Sequence, residues 1–235
     1  MEFLRELERD GFVVVPTVVS KDEVDLLLER LKEADLRVTT HRRGQQTYAI
    51  RNLLRVVPQT RQLTESAAVR SLVEPSLGPN AFVVRDLFFD FDKTSDANWK
   101  VAWHQDLTIA VRHRIEVPGF GPWSVKDGVP HVRPPIELLE RMLTVRLHLD
   151  DCGEENGSLR VLPGSHRHGR LDAKVIRVWR AEVPAVSCAV KRGGAVLMRP
   201  PLLHASSPSV RPEHRRVIHL EFAAEELPGG LRWCG

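Results

Sequence analysis

Residues 103–108 read WHQDLT, and the chemistry lies in the spacing. In an extended strand alternate side chains share a face, so His104 and Asp106 would project together while Gln105 turned away. An imidazole and a carboxylate on one face can buttress a core, form a buried ion pair or hold a metal. A non-haem ferrous centre needs two histidines and one carboxylate on one side of the ion, with the other positions open to co-substrate and oxygen. The missing ligand must come from elsewhere in the chain.

Ten histidines are available. His41, His113, His131, His166, His168 and His214 fall in polar, loop-like stretches, where a solvated imidazole is the ordinary expectation. His148 and His219 alternate within strand-like runs and fit either a core or a pocket. His204 stands apart. In GGAVLMRPPLLHASSPS a Gly-Gly turn and an apolar strand lead through two prolines to it, and Arg215 follows eleven residues later.

These residues need a scaffold. A first helix runs to about residue 10, ended by Gly11, and FVVVPTVV reads as a short extended run interrupted by Pro16. Ser20 and Glu23 form a capping box ahead of leucines at helical spacing, which predicts a helix over about 21–35. TESAAVRSLVEPSLG predicts another, closed by Pro75 and Gly78. Residues 38–60 are polar and carry no clear period. From residue 79 onward the period changes: NAFVVRDLFFDFD, NWKVAWHQDL, RMLTVRLHLDD, GSLRVLPG, SCAVKRGGAVLMR and RRVIHLEFA are strand-like runs separated by Gly and Pro, the pattern of an antiparallel β core. The result is a single domain over 1–235, mostly helical to 78 and β from 79 on. The irregular stretch 112–137, with Phe120 and Trp123, reads as an ordered lid-like insertion.

Three segments carry a resemblance to a known family: WHQD; LHLDDCGEENGSLRVLPGSHRHG; and LLHASSPSVRPEHRRVIHLEF. In this order they resemble the phytanoyl-CoA dioxygenase family of iron(II)- and 2-oxoglutarate-dependent oxygenases. The resemblance implies a double-stranded β-helix, or jelly-roll, core with the N-terminal helices packed on it. His104, Asp106 and His204 match the family's metal ligands. Arg215 matches the arginine that pairs with the far carboxylate of 2-oxoglutarate, a task suited to a planar guanidinium. Ser206 matches a hydroxyl that supports the co-substrate, and Gln105 a glutamine near it, although alternation turns Gln105 from the metal. The implied reaction is hydroxylation of an unactivated C–H bond, with O2 consumed and succinate and CO2 released. Because Asp106 is kept, hydroxylation is favoured over halogenation; desaturation and ring formation use the same iron site.

One position departs from the family pattern. A tryptophan often stands ten residues before the asparagine of the NG pair; here that residue is Arg146. Thr144, Arg146, His148 and Asp150 alternate onto one face, and an inward arginine is costly unless it meets an anion. The co-substrate, an anionic substrate or Asp150 would each serve. Asn156, Gly157, Pro163, Gly164, Ser165 and His166 suit turns at the rim and read as architectural.

Composition excludes other classes. Hydrophobic residues make up 42% and charged residues 28%, and no apolar run approaches the roughly 20 residues needed to span a bilayer. The opening MEFLRELERDGF is no signal peptide, so no membrane partner and a cytoplasmic location are expected. The net charge is +3 with arginines spread along the chain, unlike a clustered nucleic-acid footprint. Cys152, Cys188 and Cys234 have neither disulfide nor thiolate-zinc spacing. Two alternatives share the fold or the ligands: a non-catalytic binding or sensing protein, and a metal-dependent hydrolase. The hydrolase leaves Arg215 unexplained, and the binding or sensing reading would be supported by loss of a ligand or of that arginine, neither of which is lost.

Overall fold

In the central strands every second side chain is aliphatic and the ones between are polar, so one face must meet a core and the other something polar. The computed structural model describes residues 2–33, 40–43, 46–92, 100–210 and 214–235. Helices α1 (Glu2–Asp10), α2 (Lys21–Glu33), α3 (Leu53–Val56), α4 (Thr60–Glu65) and α5 (Ala67–Leu77) fall in the first third. Among them lie β1 (Phe12–Val15), β2 (Thr40–Arg43) and β3 (Gln46–Arg51). Then come β4 (Phe82–Asp92), β5 (Val101–His104), β6 (Ile109–Ala110), β7 (Trp123–Lys126), β8 (Val129–Val132), α6 (Ile136–Glu140) and β9 (Leu143–His148). The chain finishes with β10 (Leu159–Val161), α7 (Ala173–Glu182), β11 (Val186–Cys188), β12 (Ala195–Met198), β13 (His204–Ser206) and β14 (His214–Ala223).

The strands form an antiparallel seven-stranded sheet, β1-β12-β9-β14-β4-β3-β2, a four-stranded sheet, β11-β10-β13-β5, and a three-stranded sheet, β6-β8-β7. The larger two make the jelly roll. Leu143, Val145 and Leu147 of β9 and Ile218, Leu220 and Phe222 of β14 join one apolar cluster with Leu7 of α1, Val24, Leu27 and Leu31 of α2 and Val73 of α5. Burying each such side chain contributes about 1.5–3 kcal/mol. The N-terminal helices therefore cover the outer face of the large sheet, while its inner face, polar and rich in arginine and histidine, looks toward the small sheet. A second cluster, with Phe12, Val161, Val196 and Leu202, packs between the two sheets.

Local chemistry explains the element ends. Ser20 and Glu23 close the capping box at α2, with backbone-to-side-chain bonds of 3.2 and 2.7 Å. The helix expected across TESAAVRSLVEPSLG is broken at Ser66, whose extended backbone ends α4 and whose hydroxyl caps α5 at Val69. Helix α5 then runs two residues past Pro75, to Gly78. The stretch 112–137 is less irregular than its Pro and Gly content suggests. It holds a β7–β8 hairpin whose turn residues, Asp127 and Gly128, both have positive φ, at 52° and 77°, as a two-residue hairpin turn requires. Phe120 belongs to the apolar cluster under that sheet and Trp123 packs against it. Helix α7, not foreseen, buries none of its residues.

Asn156 and Ser165 of the second signature segment tie backbone together. Asn156 Nδ2 bonds the carbonyls of Asp151 and His214 at 3.3 and 3.4 Å. Ser165 Oγ donates to Leu162 O at 2.7 Å and accepts from Leu203 N at 2.9 Å, which ties the PGSH turn to the residue before His204. His166 and His131, expected in solvent, are instead buried; the His166 ring lies so close to Gly11 that a Cβ there would meet Nδ1 at 2.4 Å.

Gly157 shows how tightly this region is built. Its φ is +63°, and a Cβ would fall 2.5 Å from Ser207 O. Gly157→Ala is expected to destabilise the fold by about 1–3 kcal/mol, read as a lower urea midpoint at unchanged slope.

Candidate metal centre

β5 and β13 are antiparallel neighbours with His104 directly opposite His204, and the two ring centroids lie 4.2 Å apart. Each imidazole is oriented in the same way. His104 Nδ1 lies 2.8 Å from Ala102 O and His204 Nδ1 lies 2.9 Å from Leu202 O. A carbonyl only accepts, so each Nδ1 carries the proton and each Nε2 presents a lone pair. Both Nε2 atoms face Asp106: His104 Nε2 is 3.8 Å from Oδ1, and His204 Nε2 is 3.6 Å from Oδ2. One donor atom from each of the three lies within 4.8 Å of the others, the only such group among the described residues. Two neutral imidazoles and a carboxylate, converging with second bonds already made to the backbone, fit a divalent first-row metal.

Asp106 reaches this position by a different route from the one its spacing suggests. β5 ends at His104, and Asp106 lies beyond it, its N–H donating to Pro200 O at 3.0 Å. The alternation argument holds for Gln105, which turns away from the metal. Its Nε2 donates to Gly169 O and Pro201 O at 2.8 and 2.7 Å, and its Oε1 accepts from Leu171 N at 2.9 Å. That amide spends these hydrogen bonds on the surrounding loops.

The donors open onto a cavity of about 280 Å³ between the sheets. Ser206, Arg146, His148, Arg215, His219, Arg85 and Glu221 line it as well. Arg215 and Arg216 divide as alternation predicts. Arg215 is 5% exposed and faces the cavity, whereas Arg216 forks onto Asp150 through Nε and Nη2 at 2.9 and 2.5 Å. Asp150 is thereby taken, which removes it as the partner of Arg146. Arg146 Nη1 instead meets His219 Nδ1 at 2.9 Å. Arg85 and Glu221, which sequence reasoning passed over, pair at 2.9 Å, and His219 Nε2 lies 3.2 Å from the same carboxylate.

The electrostatics suit a cation at the triad. Burial alone would raise Asp106, but His204, His219, His104 and Arg85 outweigh it and hold the carboxyl at about 2. Burial pushes His204 down to about 4 despite Asp106, so both groups are ready to ligate at neutral pH. Burial likewise lowers Arg215 to about 10, with Arg146 acting in the same direction.

The hairpin stands beside this cavity. Lys126 Nζ bonds Thr108 Oγ1 at 3.1 Å, two residues after Asp106, and Asp127 pairs with Arg51 of β3 at 2.7 Å. A larger groove, of about 1120 Å³, is bordered by Arg51, Arg55, Arg61 and Asp86, but among the described residues it holds no comparable donor cluster.

A family model described as phytanoyl-CoA dioxygenase (PhyH) matches residues 7–217. The chain belongs to the phytanoyl-CoA dioxygenase family. Ectoine dioxygenase of Stutzerimonas stutzeri (strain A1501) is 26% identical over 175 residues, which is 71% of this chain and 50% of that protein. Ectoine dioxygenase of Streptomyces avermitilis is 26% identical over 172 residues, 70% of this chain and 50% of its own length. The chain spans about half the length of the curated relatives it matches. Among solved structures, EctD from S. alaskensis with bound Fe superposes with a TM-score of 0.73 at 20% identity, over 94% of this chain and 75% of that one. AviO1 from Streptomyces viridochromogenes Tue57 gives 0.64 at 22% identity, over 97% and 95%. These likenesses show that the jelly-roll fold is shared.

Two outcomes follow from the geometry. His104→Ala and His204→Ala are each expected to weaken Co(II) binding at least about 100-fold in calorimetric titration, since a single lost ligand costs more than the 10- to 100-fold typical of a lost supporting contact. His148, lowered to about 3 by burial and then by Arg146 and Arg215, supplies the second. The unfolded chain takes up that proton first, near pH 6.5, so the stability tied to neutral His148 is complete above that pH and declines as pH falls toward 3. Urea midpoints between pH 7 and 4 should therefore fall less steeply for His148→Gln than for the unaltered protein.

Proposed function

We propose that this chain is an iron(II)- and 2-oxoglutarate-dependent dioxygenase that hydroxylates an unactivated C–H bond of a small-molecule substrate, releasing succinate and CO2. One observation carries the reading: the two pre-oriented histidines and Asp106 converge at the wall of a cavity that Arg215 also lines. His104, Asp106 and His204 would hold iron, and the metal with the keto acid supplies the oxidising power when both are bound. Arg215 binds the distal carboxylate of 2-oxoglutarate, and Ser206, two residues beyond His204 on the same strand, supports it. The apolar side chains Leu87, Phe89, Val101 and Val217 line the rest of the cavity and exclude water from the reacting C–H bond.

The size of the cavity favours a small primary substrate. The relatives named ectoine dioxygenase support a small-molecule substrate without identifying the one used here. Retention of Asp106 favours hydroxylation. A hydrolase using the same three ligands would have no use for Arg215, and a sensing scaffold no need of a complete ligand set.

Succinate formation tests the proposal. Protein reconstituted anaerobically with ferrous iron and then given 2-oxoglutarate and O2 should release succinate slowly even without primary substrate. His104→Ala should abolish this, and Arg215→Ala should raise the KM for 2-oxoglutarate by about 10- to 100-fold. Failure of the metal-loaded protein both to turn over and to bind 2-oxoglutarate would rule out the oxygenase reading.

A further inference from the structure

The inner face of the large sheet contains more cationic and donor capacity than a single Arg215 contact uses. Strand register sets out the rows: Arg146 of β9 sits opposite His219 of β14, and His148 opposite Val217, with Arg215 two residues further along the same face of β14. His148 thus lies between the two arginines, with Arg146 before it on its own strand and Arg215 diagonal to it on the next. All three line the metal cavity.

Several of these polar groups have no use for one another. His148 is 2% exposed, yet neither ring nitrogen has a hydrogen-bond partner. Arg146 Nε is buried and likewise without one. Buried polar atoms are almost always satisfied, and two unsatisfied side chains facing one cavity indicate a group that joins them there. Its sign is set by the arginines. An Arg N–H can only donate, so His219 Nδ1 accepts from Arg146, and the His219 proton sits on Nε2, directed at Glu221. Glu221 also takes Arg85. The chain Arg85–Glu221–His219–Arg146 thus fixes the direction of the Arg146 guanidinium through a neutral imidazole and leaves its charge uncompensated by contact. A buried charge in that condition calls for an anion. Arg146 and Arg215 also act on each other and on His148 electrostatically, which places the three around one space.

We infer that Arg146 and His148 form, with Arg215, a two-strand seat for the distal carboxylate of the keto-acid co-substrate. His219 is a positioning residue that aims Arg146. The inference rests on the oxygenase reading above. Arg215 approaches the carboxylate from β14, Arg146 and a His148 N–H approach it from β9, and the carboxylate relieves the repulsion between the two guanidiniums. The rival source of the same chemistry, an anionic group on the primary substrate, predicts a different response to substitution.

The experiment separates the two ends of the co-substrate. Protein loaded with Fe(II) under anaerobic conditions is titrated calorimetrically with 2-oxoglutarate and with 2-oxobutanoate, which keeps the chelating keto-acid end and lacks the distal carboxylate. Arg146→Met and His148→Leu should each weaken 2-oxoglutarate about 10- to 100-fold, as Arg215→Met should, and leave 2-oxobutanoate unchanged. Arg146→Lys should recover part of the loss. His219→Leu should weaken 2-oxoglutarate alone, with His219→Gln restoring it in part. Unchanged binding of 2-oxobutanoate also reports that the variants remain folded around the metal.

Three results overturn the inference. If Arg146→Met leaves 2-oxoglutarate affinity intact, the arginine serves the primary substrate. If both keto acids weaken equally, it acts on the chelating end or on the fold. If the unaltered metal-loaded protein binds neither keto acid, the oxygenase reading fails and the seat fails with it.

Discussion

His104 and His204 face each other across one antiparallel pair, and a slip of a single residue in that register would turn one imidazole to the outside. The neighbouring structure holds the register. β10 pairs with β13 on the side away from β5, and Ser165 bonds the backbone at Leu203. The two imidazoles bond carbonyls two residues back along the chain, so tautomer and ring direction follow from the backbone itself. Once those two lone pairs converge, a carboxylate, a cavity and a counter-charge are all that the chemistry still requires.

The large sheet supplies the cavity by reversing the usual arrangement of a sandwich. Along β9 and β14 its apolar face is turned outward under the N-terminal helices and its polar face inward, while β1 and β12 fill the space between the sheets with apolar side chains. An inward polar face is costly to desolvate, and the protein meets that cost in two ways. Where the groups are structural they satisfy one another, as Arg85, Glu221 and His219 do; Arg216 and Asp150 do the same on the opposite face of β14. Where they are not, the unsatisfied atoms cluster around His148 and Arg146. The difference separates scaffold from binding surface within a single layer of side chains.

Much of this was legible in the sequence, and the failures have physical causes. The capping box, the switch in period after residue 78 and the turning away of Gln105 depend on neighbours a few residues apart, and all were readable. Asp106 was assigned to a strand that ends two residues earlier, because its position comes from the backbone at Pro200. The β7–β8 hairpin announced itself through Asp127-Gly128, yet its signal was diluted by surrounding Pro and Gly. Helix α7 buries no residue, yet Val175, Ile176, Val178 and Trp179 recur at helical spacing, so its signal was present in the sequence and was passed over. Arg85 and Glu221 are 136 residues apart, and nothing local marks either one as half of a pair. His131 and His166 looked solvated because polar neighbours in sequence gave no hint that distant parts of the chain bury them.

The three candidate ligands differ in how deeply they are built into the fold. The histidines belong to paired strands, where any change also disturbs a sheet. Asp106 sits past the end of β5, held through its own backbone N–H by a carbonyl of the Pro200-Pro201 turn. A main-chain anchor is indifferent to the side chain it carries. The carboxylate can therefore be exchanged in evolution while the path of the chain and the histidine pair stay as they are. On this scaffold the coordination sphere is variable at one corner only, and new chemistry has a ready point of entry there.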